Sequence, residues 1–245
     1  TSGNENIFIG TDAGGTTTAG THIVAIGRKA GEANITTDGS YSVFIGGFAG
    51  NQITSGIGNV AIGYAALDAE DDGDYNTAIG YEALTDQTGV TGTVANTALG
   101  YKAGTNITTG VRNVFIGSDV AAGTTNVDRS VAIGYAAMGN ANVTADGDGT
   151  IAIGYTALYS ISGSDGTEGE ANTAIGHQAM YANTTGARNT AIGQGALGSN
   201  TTADDNTAVG LQAMNANTTG NNNVAVGHDA LEKNTTGSGH VAIGW

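Results

Sequence analysis

Residues 172–197 read NTAIGHQAMYANTTGARNTAIGQGAL, which is one repeat unit followed without a gap by the start of the next. The Gly that closes NTAIG, here called the motif glycine, recurs fourteen times, at Gly10, Gly27, Gly46, Gly63, Gly80, Gly100, Gly117, Gly134, Gly154, Gly176, Gly193, Gly210, Gly227 and Gly244. Most copies are 17 residues apart, and four spacings are lengthened to 19, 20, 20 and 22 residues. A fixed short period predicts a repeat architecture in which each unit packs on its neighbours. We therefore expect a single repeat domain over residues 1–245.

The residues around the motif glycine predict two short segments and a corner. Ile, Leu or Val precedes it in every copy, Val, Ile or Thr stands three residues before it, and Ala or Phe lies between these two. This alternation of small and β-branched side chains is typical of a short strand. Ala stands three residues after the motif glycine in most copies, and the next residue is usually Leu or Met. Asn-Thr-Thr-Gly, as at Asn183–Gly186, supplies the corner. The sequence thus predicts an all-β fold, a parallel β-solenoid of about fourteen 17-residue coils.

The two faces of the predicted strand are both apolar, because the Ile row and the Ala or Phe row point to opposite sides. We expect the Ile row to fill the inside of the coil. The Ala and Phe row, which includes Phe8, Phe44 and Phe115, would then pack on another chain in a symmetric homo-oligomer. A stacked amide ladder is expected from the Asn four residues before the motif glycine, at Asn59, Asn76, Asn96, Asn113, Asn172, Asn189, Asn206 and Asn223.

The extra residues of the longer repeats all follow the second apolar segment, at Ala33–Ser40, Thr85–Val94, Gly139–Gly149 and Tyr159–Glu170. Because they share one corner, they predict exposed loops of the kind that repeat proteins use for binding.

Charge and hydropathy exclude several classes of partner. The net charge is −15, from 22 acidic and 7 basic side chains, which argues against nucleic acid and anionic membrane surfaces as partners. Apolar runs are far too short for a membrane-spanning segment, so we expect the chain not to be membrane-embedded.

No catalytic, cofactor-binding or metal-binding residues are predicted. His22, His177, His228 and His240 are scattered and read as surface or interface side chains. The acidic stretch Asp68–Asp74 places five carboxylates in seven residues, and Asp146–Gly149 resembles the opening of a calcium loop. Neither stretch has the remaining ligands of such a loop. A solvated acidic edge is the main interpretation, with calcium as the alternative.

Two further patterns carry alternative interpretations. Turn chemistry explains the N-x-T sites without glycosylation; these begin at Asn34, Asn106, Asn142, Asn183, Asn200, Asn217 and Asn234. A row of tyrosines follows the motif glycine, at Tyr64, Tyr81, Tyr101, Tyr135 and Tyr155. Packing is the main interpretation of that row, and stacking on a sugar is the alternative.

The stretches NVAIGYAAL at Asn59–Leu67 and SVAIGYAAM at Ser130–Met138 resemble the head repeats of YadA-like trimeric autotransporter adhesins. Similar repeats occur in trimeric phage tail fibres and related bacterial surface fibres. The resemblance covers all fourteen copies and implies a left-handed parallel β-roll, three chains side by side and a role in attachment. The Asn-Thr-Thr-Gly corner makes the repeat longer than in the adhesin heads, and there is no neck motif or heptad stalk, so the uniform repeats look closer to the fibre proteins.

The resulting hypothesis is a non-enzymatic structural and adhesive segment of an extracellular trimeric fibre, on a cell surface or a virion. A host-surface protein or a glycan is the expected ligand. Both termini interrupt a repeat, since Thr1–Gly3 matches the end of a corner and Trp245 follows a motif glycine, so we expect a segment of a longer fibre protein. The alternatives are a phage tail-fibre shaft that binds carbohydrate, an ice- or surface-binding β-solenoid, and a carbohydrate-degrading fibre.

Overall fold

The computed structural model describes residues 3–33, 35–36, 40–140, 142–143, 148–163 and 168–245. The chain is all-β and forms a parallel β-solenoid of about 13 coils, which confirms the predicted fold class. The described part of the chain contains no helix of the length and apolar character needed to cross a membrane. The chain divides into two compact units, Thr1–Asp119 and Val120–Trp245.

In the first unit, each copy of the motif contributes a three-residue strand that ends just before the motif glycine. These strands are β1 (Ile7–Ile9), β2 (Val24–Ile26), β3 (Val43–Ile45), β4 (Val60–Ile62), β6 (Thr77–Ile79), β8 (Thr97–Leu99) and β9 (Val114–Ile116). They pair in parallel in the order of the chain. At the corner, β5 (Gly73–Asp74) pairs with β7 (Gly92–Thr93), which lies within the insertion at residues 85–94.

The second unit repeats this arrangement with its own parallel strands. They are β10 (Val131–Ile133), β12 (Ile151–Ile153), β14 (Thr173–Ile175), β15 (Thr190–Ile192), β16 (Thr207–Val209), β17 (Val224–Val226) and β18 (Val241–Ile243). A small corner pair joins β11 (Asn142–Val143) to β13 (Ser162–Gly163). Equivalent motif positions are aligned, so that Thr190 pairs with Thr207 and Ile192 with Val209.

The predicted Asn ladder is present and bonds mainly to backbone. In the first unit, the Asn76 N–H donates to Asn59 Oδ1 at 2.8 Å, while Asn59 Nδ2 donates to the Gly73 carbonyl at 2.8 Å. In the second unit, the Asn206 N–H donates to Asn189 Oδ1 and Asn189 Nδ2 donates to the Ala203 carbonyl. The side chains of Asn59 and Asn189 therefore tie the start of one strand to the next coil and to the neighbouring corner, whereas Asn76 Nδ2 is buried without a hydrogen-bond partner. The ladder satisfies buried polar groups that would otherwise be costly.

The strand faces are the reverse of those we predicted. Between the terminal strands, the Ala or Phe in the middle of the strand is fully buried within the single chain, whereas the side chains on either side of it point outward and are at least partly exposed. In the first strand, Phe8 is 40% exposed. The expectation that Ile fills the coil and that Ala and Phe contact another chain was therefore wrong. The coil is narrow, and a middle Ala such as Ala61 together with buried Leu67 from the return segment already fills it.

Phe and Gly replace the Ala and Leu pair in some coils. The ring of Phe44 occupies the space beside Gly50 in its own coil and beside Gly31 in the previous coil, where an added Cβ would lie 2.3 and 2.8 Å from ring carbons. Phe115 fills the space beside Gly104 in the same way. A large side chain on one segment is thus matched by the absence of one on the other, which keeps the interior close-packed.

The return segment that follows the motif glycine is a succession of turns and not a strand. The residues two and four places after the motif glycine have positive φ, as Ala65 at 51° and Leu67 at 52° do. Their N–H groups bond to opposite neighbours, since Ala65 donates to the Gly47 carbonyl and Leu67 to the Ala83 carbonyl. The segment therefore bonds to the coils on both sides without extended strand geometry.

Candidate functional site

The outward side chains of the strands form two parallel rows, which we call the aliphatic ladder. Between the terminal strands, the ladder in the first unit consists of Val24, Val43, Val60, Thr77, Thr97 and Val114 beside Ile26, Ile45, Ile62, Ile79, Leu99 and Ile116. In the second unit it consists of Val131, Ile151, Thr173, Thr190, Thr207 and Val224 beside Ile133, Ile153, Ile175, Ile192, Val209 and Val226. Most are half-buried, and Leu99, Ile192 and Val226 are 45%, 38% and 36% exposed. Because the rows repeat in every coil, each unit presents a continuous apolar strip.

The predicted tyrosine row lies directly after the motif glycine and is built from stacked rings. Tyr64 and Tyr81 have ring centroids 5.3 Å apart, Tyr81 and Tyr101 5.5 Å, and Tyr135 and Tyr155 5.4 Å, with the ring planes within 20° of parallel. The rings are roughly half exposed. Stacked neighbours cover each other's faces and leave the ring edges exposed, while the Tyr81 hydroxyl hydrogen-bonds to Glu82. This arrangement favours packing, because a sugar would need a free ring face.

The acidic stretch Asp68–Asp74 supplies hydrogen-bond acceptors to its own corner and to the previous one. Asp72 accepts from the Thr54 hydroxyl at 3.1 Å and from the Ser55 hydroxyl, and Asp74 Oδ1 accepts from the Ile57 N–H at 2.8 Å. Within the described residues, no three His, Asp or Glu side chains are grouped to hold a metal ion. Asp146 and Gly147 of the second acidic stretch lie outside the described residues.

Glu70 is the feature of this stretch that the sequence analysis missed. It is fully buried, and Oε1 accepts the N–H groups of Asp71, Asp72 and Gly73 at 3.0, 3.2 and 2.8 Å. Oε2 is buried without a hydrogen-bond partner. Burial raises the pKa of this carboxyl, and the three backbone N–H groups oppose that rise. The sequence contained one signal for the burial of Glu70. Glu70 lies seven residues after its motif glycine, which is the position that the buried Asn183 occupies in a later coil.

Ion pairs link neighbouring coils at the exposed corners. Arg188 donates through Nε to Asp205 at 2.8 Å and through one terminal nitrogen to Asp204 at 3.2 Å. The hydrogen bond from Arg188 lowers the pKa of the Asp205 carboxyl. These groups are solvent-exposed, so the pairs contribute little to stability.

The histidines lie on the surface, as expected. His22 contacts Glu5 and stacks on Tyr41, with ring centroids 4.7 Å apart, and His177 stacks on Tyr155 at 5.1 Å. Within the part of the chain that the structure describes, none of them belongs to a group of three or more His, Asp or Glu side chains that could hold a metal ion.

Three of the N-x-T sites are inaccessible in the folded chain. Asn183, Asn200 and Asn217 are fully buried and form a second ladder, in which Asn200 Nδ2 donates to Asn183 Oδ1 and Asn217 Nδ2 donates to Asn200 Oδ1. Turn chemistry therefore accounts for these sites. Asn34 lies outside the described residues, as does the side chain of Asn142.

The insertions lie at one corner, as far as they are described. Half of residues 85–94 are exposed, and Gln87 and Val94 are buried. Residues 34, 37–39, 141, 144–147 and 164–167, within or beside the other three insertions, lie outside the described residues.

No protein-family model, curated protein or solved structure matches this chain. Its function must therefore be inferred from the aliphatic ladder, the tyrosine row and the exposed corner.

Proposed function

We propose that this chain is a structural and adhesive segment of an extracellular trimeric fibre, similar to the head repeats of YadA-like adhesins and to phage and bacterial surface fibres. The coils would be left-handed, and three chains would lie side by side. The aliphatic ladder is the observation that carries the proposal. It is an apolar strip, repeated in every coil, that the single chain leaves partly exposed.

The ladder suits a symmetric assembly because its members repeat in register. Thr173, Thr190 and Thr207 align in one row beside Ile175 and Ile192 in the other. A second copy of the chain presents the same rows at the same spacing, so matched ladders can meet along their length. The interface proposed here differs from our first expectation, since outward Val, Thr and Ile replace Ala and Phe.

The mass of the native particle tests the assembly. Light scattering should give three times the chain mass of 24.1 kDa. In Ile192→Lys, each ladder gains one charge, and three-fold symmetry would bring three of these charges together, so the particle should dissociate. Thr202→Lys is the matched control, because it adds the same charge at the exposed corner and should leave the mass unchanged.

Attachment needs a separate measurement. The assembled particle should bind to surfaces coated with extracellular-matrix protein or glycan, and substitutions in the exposed insertion at residues 85–94 should weaken that binding. A particle that assembles and binds neither surface would support a purely structural shaft and overturn the adhesive part.

A surface-binding solenoid is the second candidate, favoured by the outward row of Thr173, Thr190 and Thr207 beside aliphatic side chains. A stable monomer with thermal hysteresis in freezing solutions would assign the ladder to ice. A trimer without hysteresis would exclude this candidate.

A further inference from the structure

We infer that the stacked tyrosines are an oxidative cross-linking site, at which one-electron oxidation joins neighbouring coils through dityrosine bonds. Four tyrosine pairs are stacked, and they are Tyr64–Tyr81, Tyr81–Tyr101, Tyr135–Tyr155 and Tyr159–Tyr181. Their ring centroids are 5.3 to 5.5 Å apart, and the angles between ring planes are 2° to 20°. This inference does not depend on the proposed assembly.

The geometry favours coupling within the chain. Dityrosine forms when two phenoxyl radicals meet, and the parallel coils hold each ring beside the next before oxidation begins. Tyr64, Tyr81 and Tyr101 are 49%, 44% and 49% exposed, so an external oxidant can reach their edges. Exposed side chains change rotamer in picoseconds to nanoseconds, which allows the ring carbons beside the hydroxyls to approach each other.

The reaction balances with a peroxide as oxidant. Each of two phenols loses one electron and one proton, and the two radicals form a carbon–carbon bond between the ring carbons next to the hydroxyls. The hydrogen on each bonded carbon then moves to the phenol oxygen, which restores both aromatic rings. Hydrogen peroxide, activated by a haem peroxidase, takes up the two electrons and two protons and becomes two molecules of water.

The chain contains its own comparison site. Tyr41 and Tyr75 are 63% and 53% exposed, more than the stacked tyrosines. They occupy equivalent positions two coils apart, with Gly58 between them, a separation of about 10 Å at the usual interstrand spacing. Tyr41 stacks on His22, and Tyr75 lies over Gly58. If exposure to the oxidant decided which tyrosines couple, Tyr41 and Tyr75 would cross-link most. If stacking between tyrosines decides it, these two residues should not cross-link.

The test is oxidation of the full chain with hydrogen peroxide and a peroxidase at low protein concentration, followed by digestion and mass spectrometry. Mixing isotopically light and heavy chains distinguishes bonds within a chain from bonds between chains. We expect intrachain cross-links at the four stacked pairs, each with the loss of two hydrogen atoms. Tyr81→Phe should remove the cross-links to Tyr64 and Tyr101 and leave Tyr135–Tyr155, while Tyr75→Phe should change nothing.

Three results would overturn the inference: cross-links that include Tyr41 or Tyr75 as often as the stacked residues, light–heavy cross-links as frequent as random pairing between chains would give, or an unchanged cross-link pattern in Tyr81→Phe. Tyr81→Phe keeps the ring and its stacking, so a loss of fold would not explain a missing product. The particle mass, measured separately, decides the fibre proposal and is unaffected by this outcome.

Discussion

The motif glycine lies at a close approach of two neighbouring coils. Gly63 has φ +138°, and a Cβ placed on it would lie 2.2 Å from the Gly80 carbonyl oxygen of the next coil. Residues other than glycine rarely adopt this backbone conformation, and no side-chain rotation could relieve a contact between Cβ and the backbone. The same contact recurs along the row, for example from Gly193 to Gly210 at 2.3 Å. Because the motif glycine has only a hydrogen atom in place of a side chain, it permits the close spacing of neighbouring coils.

Gly63→Ala should lower the free energy of unfolding by about 3 kcal/mol or more, because backbone strain and steric overlap add. Gly89→Ala is the matched control. Gly89 has φ +73° with no atom within 4 Å of an added Cβ, so this variant should cost only the strain, about 1 kcal/mol. Urea unfolding of both variants measures the difference. Equal losses of unfolding free energy in the two variants would show that the close approach of the coils adds nothing to the cost of the substitution.

Glu70 predicts an unusual dependence of stability on pH. Burial raises the pKa of its carboxyl in the folded chain, so folding is favoured while the group is protonated. The stabilisation is complete below the ordinary pKa of a glutamate and is lost as the pH rises through the raised pKa. Each unit of difference between the folded and unfolded pKa corresponds to about 1.4 kcal/mol. Burial also raises the pKa of Asp68, which acts in the same direction.

In Glu70→Gln the buried side chain at position 70 cannot become charged, so this variant should be more stable than the parent chain at pH 7.5. The advantage should shrink as the pH falls toward 4.5, the ordinary pKa of the group. Asp86→Asn removes one exposed charge nearby and should not reproduce the trend. The measurement is thermal unfolding across this pH range. A Glu70→Gln chain that is less stable at pH 7.5 would contradict the assignment of Glu70 as a buried, unfavourable charge.

At the level of the elements, the strand and the return segment fill the interior by complementary volumes. Ala61 pairs with Leu67 in one coil and Phe44 with Gly50 in the coil before it. Gly50 and Leu67 occupy equivalent positions with φ +56° and +52°, so a leucine fits the backbone at residue 50. Ala with Leu and Phe with Gly should therefore be interchangeable in a coil only when the residues of both segments are exchanged together.

Phe44→Ala should cost about 3 to 5 kcal/mol because it leaves a cavity beside Gly31 and Gly50. Gly50→Leu alone should also destabilise the chain, since its Cβ would overlap the Phe44 ring. The double variant reproduces the Ala61 and Leu67 combination and should recover at least half of the summed loss. Unfolding free energies of the four chains form a double-mutant cycle. Strictly additive losses would refute complementary packing.

At the scale of the whole molecule, charge and assembly oppose each other. Each chain carries a net charge of −15, so chains brought side by side repel one another. The aliphatic ladder would have to overcome this repulsion. Salt shortens the range of the repulsion, with a screening length of about 8 Å at physiological ionic strength.

The proposed assembly should therefore strengthen with salt. Sedimentation at about 20 mM and about 500 mM NaCl should show less dissociation at the higher concentration. Ile192→Lys should remain dissociated at both concentrations if three added charges lie close together at the interface. Dissociation that increases with salt would indicate ion pairs between chains and would contradict an apolar ladder as the main contact.

The repeat was sufficient to predict the strands, their parallel pairing, the Asn ladder and the row of tyrosines. These features depend on local pattern and on period, because equivalent residues stack when identical coils lie one above another. The position of the insertions at one corner follows for the same reason. No long-range information beyond the repeat length was needed.

The tertiary structure alone decided which strand face is buried. Alternation places Asn59 and Ala61 on one face and Val60 and Ile62 on the other, but hydropathy favoured burying Ile62. The packing of the coil reversed that expectation, because Ala61 from the strand and Leu67 from the return segment are both fully buried and together fill the interior. The burial of Glu70 likewise depends on the corner that closes around it. The repeat determined which residues stack along the solenoid, and the cross-section of the coil determined which of them face inward.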